Sequence, residues 1–249
     1  MLNVIEFGAG GVPLVIAHGL FGSGRNWGVI AKRLAETRRV ITVDMRNHAG
    51  SFWSADMSYE AMGADLREVL EPLGGADLLG HSMGGKAAMM AALGGAPVRR
   101  LVVADIAPDI YTHTQTPMID AMESLDLGAI DTRAEADAAL ATSVDEAGVR
   151  AFLLQSLDVR AKAWRLNLPV LRAEMDKIIG FPEVSGSFAG PTLFLAGAAS
   201  DYVTHEARPR AKALFPAARF AKIPGAGHWL HAEKPREFEA AIRAFFDAP

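Results

Sequence analysis

The chain contains no cysteine. That absence excludes disulfide bonds, thiolate zinc sites, cysteine-ligated iron–sulfur clusters and a cysteine nucleophile. It is compatible with a reducing compartment, and the expected location is the cytoplasm. No Lys/Arg-rich run occurs, and a net charge of −4 with a pI near 6.0 argues against a broad basic face for nucleic acid. No apolar run approaches the roughly 20 residues that span a bilayer. Residues 1–11 lack a basic leader segment, so a secretory signal is not supported. Internal repeats and low-complexity tracts are also absent.

What is there is an ordinary globular composition: 249 residues, 50% hydrophobic and 22% charged, with a mean hydropathy of +0.15. Such a chain buries a large core without a disulfide or metal staple. Short apolar runs rich in β-branched residues recur at 14–17, 40–43, 77–79, 101–104, 192–196 and 220–223. They are nearly continuous rather than alternating, which predicts parallel strands covered on both faces. Residues 2–7 alternate and predict an antiparallel edge strand. Helical patterns occupy 26–36, 58–72, 83–93, 205–214 and 236–246, with Ser58 opening the second and Gly74-Gly75 following its end. The alternation predicts an α/β fold, a mostly parallel sheet with helices on both faces.

The rhythm breaks over 108–190, an Ala-, Asp- and Leu-rich stretch with helical periodicity and no evident strand. A segment this long is not a structureless loop in a compact domain. It predicts a helical cap over the carboxyl edge of the sheet, inserted into a core made of 1–107 and 191–249. Its Met118, Ile119, Met122, Leu125, Phe152, Leu153 and Trp164 offer apolar surface, either for an acyl pocket or for the insertion's own core.

The most informative motif is Gly80-His-Ser82-Met-Gly84, which follows an apolar strand and opens an Ala/Met-rich helix. That context is the one a nucleophile elbow requires: small residues flank a tight turn that lifts the serine hydroxyl above the sheet. It also puts the Met83 N–H at a helix N-terminus, where it can stabilise an oxyanion. The same string reads as Gly80-x-x-x-x-Gly85-Lys86, most of a phosphate-binding loop, but Ala87 stands where that loop needs a hydroxyl. Lys86 reads as structural or as an ion-pair partner.

Companion motifs favour the elbow. His18-Gly-Leu20-Phe21-Gly22 follows the strand at 14–17, and its loop is placed to give a second oxyanion N–H, from Leu20 or alternatively Phe21. His18 itself reads as structural. Gly225-Ala-Gly-His228-Trp follows the final strand, so His228 meets Ser82 at the same sheet edge in the order serine first, histidine last; His231 is a weaker competitor as base. Two carboxylates qualify as the acid: Asp105, directly after the strand at 101–104, and Asp201, in the loop after 192–196.

Together with Asp44-Met-Arg46-Asn-His48, Asp105-Ile-Ala-Pro108 and Gly227-His-Trp-Leu-His-Ala-Glu-Lys-Pro235, these motifs resemble the α/β-hydrolase superfamily, specifically the YbfF-type esterases and their mitochondrial relatives. The resemblance covers nearly the whole chain. It implies the acid at Asp105, because this subgroup carries a serine, here Ser200, where the wider superfamily often carries its acid. The Asp44/Arg46 loop is expected to hold strand-edge hydrogen bonds rather than perform chemistry. Ala49 departs from the pattern, which runs from histidine straight to glycine.

The resemblance implies a serine hydrolase for a small acyl ester or thioester, acting through Ser82, His228 and Asp105 with an acyl-enzyme intermediate and no metal or organic cofactor. The same residues on the same fold also serve cofactor-free haloperoxidases, C–C bond hydrolases or lyases, and non-catalytic ligand-binding proteins.

Overall fold

The computed structural model describes residues 1–248. The chain opens with β1 (Asn3–Phe7), β2 (Leu14–Ala17), α1 (Gly28–Leu34), β3 (Val40–Asp44), α2 (Tyr59–Leu70), β4 (Ala76–His81), α3 (Met83–Leu93) and β5 (Val98–Ala104). It closes with β8 (Thr192–Gly197), α9 (Arg208–Leu214), β9 (Ala218–Ile223), α10 (Leu230–Glu233) and α11 (Pro235–Phe246). These strands form one sheet in the order β1-β3-β2-β4-β5-β8-β9, parallel except for β1, which runs antiparallel to β3 at the edge.

Both faces of the sheet are covered, which is why its central strands read as unbroken apolar runs. Side chains alternate along each strand: Leu14 and Ile16 pack with Trp27, Ile30 and Leu34 beside α1 and with Phe238, Ile242 and Phe246 of α11. Val15 and Ala17 face the opposite core, with Met62 and Leu66 of α2 and Met89 of α3. α3 is buried on every side from Met83 to Ala92, so it shows no polar stripe. Ser58 caps α2, its hydroxyl accepting from the Ala61 N–H, and Gly74 lies beyond that helix with φ +66°. The chain leaves β2 toward β3 on one side and returns to β4 on the other. The resulting crevice lies beyond the carboxyl ends of β2 and β4, where α/β sheets bind ligands.

Between β5 and β8 lie α4 (Thr116–Glu123), α5 (Arg133–Leu140), α6 (Ala147–Leu153), β6 (Leu157–Asp158), β7 (Ala163–Trp164), α7 (Leu168–Ala173) and α8 (Met175–Ile179). This corrects the expectation of a strand-free stretch: β6 and β7 form a small antiparallel hairpin. Two residues per strand are too few for a periodic pattern, so the sequence carried no signal for it. The insertion has a small core of its own, around Ala121, Ile130, Ala136, Leu140, Val144, Leu154 and Leu157. Polar ties join it to the rest of the fold: Asn167 Nδ2 donates to Asn47 Oδ1 (3.0 Å) in the loop after β3, and the Tyr59 hydroxyl of α2 donates to the Ile178 carbonyl (2.6 Å).

Candidate active site

Ser82 joins β4 to α3 with φ +52° and ψ −121°, a conformation that a non-glycine residue adopts only when its surroundings enforce it. The enforcement comes from backbone crowding on both sides. A Cβ on Gly80 would stand 2.2 Å from the Gly84 carbonyl oxygen, and one on Gly84 would stand 2.5 Å from the carbonyls of Ala17 and His18. Only glycine fits at either position, and the turn thrusts the Ser82 side chain into the crevice.

His228, in the loop after β9, meets that side chain. Its Nε2 lies 3.1 Å from Ser82 Oγ, and its Nδ1 lies 2.8 Å from Asp105 Oδ2. Asp105 sits just past β5 with φ +50° and no solvent exposure. Its carboxylate also accepts from the Gly197 N–H at Oδ1 (2.8 Å) and from the Ser200 hydroxyl at Oδ2 (2.5 Å). With a carboxylate at Nδ1, the His228 proton resides there and Nε2 is left to accept from serine. Asp201, the alternative acid, is exposed and makes no hydrogen bond to His228. His231 stacks on Trp27 at 4.2 Å and does not bond Ser82.

Three further side chains steady this array, none of them assigned a role from sequence. Ser200 stands where the wider superfamily often carries its acid, and its hydroxyl donates to Asp105. His81 donates from Nε2 to the His228 carbonyl (2.9 Å), tying the His228 loop to the elbow; burial holds its pKa well below the usual value, so it is neutral. Tyr202 stacks on the His228 ring with centroids 4.1 Å apart, and desolvation raises its phenol to about 12. The hydrogen-bonding residue types were visible in the sequence, but the partners lie 95 and 147 positions away.

On the other side of Ser82, the Gly22 N–H bonds the Gly19 carbonyl (3.1 Å) and closes a turn around Leu20 and Phe21. Phe21 has φ +63°, and its N–H donates to His48 Nε2 (3.2 Å). The alternative oxyanion donor is therefore engaged. The Leu20 and Met83 N–H groups have no intramolecular acceptor among the described residues, and both residues line the cavity. His18 is structural, as read: it accepts from the Met45 N–H at Nε2 (2.9 Å) and donates from Nδ1 to the Gly19 carbonyl (2.7 Å). The Asp44 carboxylate collects Gly24, Gly50 and Asn3, and Arg46 pairs with Asp65, so this loop does hold strand-edge hydrogen bonds. The additional Ala49 takes φ +47° and donates to the Arg165 carbonyl of the insertion (2.7 Å).

Lys86 is buried, and its ammonium donates to the carbonyls of Asp109 (2.9 Å), Ile179 (2.9 Å) and Gly180 (2.5 Å). Three N–H bonds meet three carbonyls, so no donor remains for a phosphate. Among the described residues it has no carboxylate partner either, which removes the ion-pair reading and leaves the structural one. Desolvation lowers its pKa to about 7, with the nearby Asp109 charge opposing.

A cavity of about 300 Å³ lies over Ser82 and His228. Of the seven apolar insertion residues singled out from sequence, Met118, Phe152 and Leu153 line it. Ile119, Met122, Leu125 and Trp164 pack into the interior instead. Val149, Ile178 and Ile179, which the sequence did not single out, complete the apolar wall.

The sequence matches the alpha/beta hydrolase family over residues 14–241. It is 42% identical to mouse sn-1-specific diacylglycerol lipase ABHD11, across 98% of this chain and 83% of that protein. It is 40% identical to esterase YbfF of Escherichia coli K12, across 94% of this chain and 93% of that one. Among solved structures, a marine microorganism esterase superposes with a TM-score of 0.92 at 37% identity, covering 98% of each chain.

Proposed function

The chain belongs to the alpha/beta hydrolase family and is a hydrolase of esterase type, and on that premise we propose that Ser82, His228 and Asp105 form a triad that cleaves carboxylic esters or thioesters through an acyl-enzyme. The observation that carries the reading is the continuous path from Ser82 Oγ through the imidazole to Asp105, lying beneath an apolar-walled cavity.

Ser82 Oγ attacks the acyl carbonyl as His228 Nε2 takes its proton. Asp105 holds the tautomer and stabilises the imidazolium that forms. The N–H groups of Leu20 and Met83 receive the oxyanion, a contribution of about 3 kcal/mol per donor to the transition state. Collapse expels the alcohol or thiol, which leaves with the proton from Nε2. Water then gives a proton to Nε2 and attacks the acyl carbonyl; collapse releases the carboxylic acid, and the proton returns to Ser82. Residues 108–190 act as a cap, and their apolar wall favours a substrate with a hydrocarbon portion.

The test is hydrolysis of p-nitrophenyl and CoA esters by the parent and by Ser82→Ala, with fluorophosphonate labelling read by peptide mass. Expected are a loss of about five to six orders of magnitude in kcat and a label on Ser82 alone. Undiminished turnover by Ser82→Ala, or a parent that resists labelling, refutes the reading.

A further inference from the structure

The turn that carries Leu20 contains a bulky residue in a glycine's conformation. Phe21 is its third residue, with φ +63°, whereas Leu20 does not have positive φ. With the Gly22-to-Gly19 bond, this is a type II turn, whose third position is normally glycine. Type I and type II turns differ by a flip of the central peptide, here the one joining Leu20 to Phe21. The turn's form therefore decides where the Phe21 N–H and the Leu20 carbonyl point, and the Leu20 N–H sits on the peptide directly preceding them.

Both polar groups of Phe21 are held from outside the turn. Its N–H donates to His48 Nε2 (3.2 Å), and its carbonyl accepts from Ser156 Oγ (2.8 Å). His48 is fully buried and donates from Nδ1 to the Arg46 carbonyl (2.8 Å), which fixes Nε2 as an acceptor. Ser156 is nearly buried and belongs to the insertion, just before β6. Its own carbonyl accepts from the Arg165 N–H (2.8 Å) across the hairpin. The neighbouring Gln155 side chain also accepts from Asn26 beside the same turn. The strained turn is thus completed by one residue from the sheet-edge loop and one from the insertion.

We propose that His48 and Ser156 are positioning residues that clamp Phe21 and thereby hold the Leu20 N–H in the oxyanion site, so that the site is complete only when the insertion is seated. This rests on the hydrolase reading above. Neither side chain needs to touch the substrate; each acts through the turn. Loss of either one frees one of the two peptide units that flank Phe21, and the strain in its φ then favours relaxation of the turn that carries the Leu20 N–H. The effect falls on the transition state, where the oxyanion exists, rather than on ground-state binding.

Ser156→Ala, His48→Phe and His48→Gln, compared on a p-nitrophenyl ester, test the proposal. Each is also titrated with an alkyl boronic acid, which mimics the tetrahedral adduct, and with the product carboxylate. Ser156→Ala is expected to lower kcat about tenfold and His48→Phe about a hundredfold, with KM and carboxylate affinity within about twofold and boronate affinity falling in step with kcat. His48→Gln keeps an acceptor facing the Phe21 N–H and is expected to recover most of what His48→Phe loses. Unchanged kcat and boronate affinity in both Ser156→Ala and His48→Phe overturns the clamp, as does a rise in KM with kcat intact. Ser82→Ala run alongside separates the two failures. If it is inactive while the clamp variants are unaffected, only the clamp is wrong; if it retains turnover, the hydrolase reading falls and the clamp with it.

Discussion

The two walls of the cavity are built differently. On the sheet side, each candidate group sits where a strand ends: Leu20 past β2, Ser82 past β4, Asp105 past β5 and His228 past β9. Backbone in sparsely populated conformations holds them, with positive φ at Phe21, Ser82 and Asp105 and glycines that admit no Cβ. The facing wall comes from the insertion, whose helices run only five to eight residues. Helices that short are marginal alone, so the wall keeps its shape through its small core and its polar ties to the sheet loops. The contrast is one of construction: strand ends and strained backbone on one side, short helices held by a small core and polar ties on the other.

That division can be broken most sharply at the acid. Asp105→Asn is expected to lower kcat by about four orders of magnitude, because the amide no longer stabilises the imidazolium or its tautomer. Asp201→Asn, in an exposed loop residue, should stay within about threefold of the parent. Steady-state kinetics on one ester decide it, and the reverse order would move the acid to Asp201. On the opposite wall the expected effects are smaller and of another kind. Phe152→Ala and Leu153→Ala should change the ratio of kcat/KM for octanoyl over acetyl esters by about tenfold, leaving kcat on the acetyl ester near the parent value. A uniform fall across chain lengths would refute the separation.

A third effect concerns acid stability and also divides by region. Buried neutral histidines are concentrated on the sheet side, at His18, His48 and His81, while the insertion's His113 is exposed. Burial depresses all three, His48 to about 3. Between the unfolded value near 6.5 and that depressed value, the unfolded chain binds more protons, so stability falls as pH drops through this window and is insensitive to these groups above it. His48→Gln should flatten urea-unfolding free energy against pH by up to one proton, about 1.4 kcal/mol per pH unit, between pH 6.5 and 3. An unaltered slope would show that His48 is protonated in the folded protein.

Much of the sheet wall was legible because its signals are local. The run at 14–17 matches β2, the pattern at 83–93 matches α3, and the elbow glycines flank Ser82 within four positions. Boundaries drifted where a neighbouring element decided them: the helix expected over 26–36 is a 3₁₀ turn over Gly24–Trp27 followed by α1. The insertion was legible only as helical. Which of its apolar residues face the cavity depends on how short helices pack together, and Met118 and Ile119, adjacent in sequence, end on different sides of that division.

The α/β alternation, the serine on its turn and the histidine beyond the last strand are readable in the chain, because each follows from the preferences of neighbouring residues. Residue types alone left Asp105 and Asp201 both open and the family resemblance favoured Asp105; the folded chain brings Asp105 to His228 and turns the Phe21 N–H to His48. It also decided that Ser156 reaches across from the insertion. Those outcomes depend on the order of strands in the sheet and on contacts between residues 27 to 135 positions apart, which no local pattern encodes.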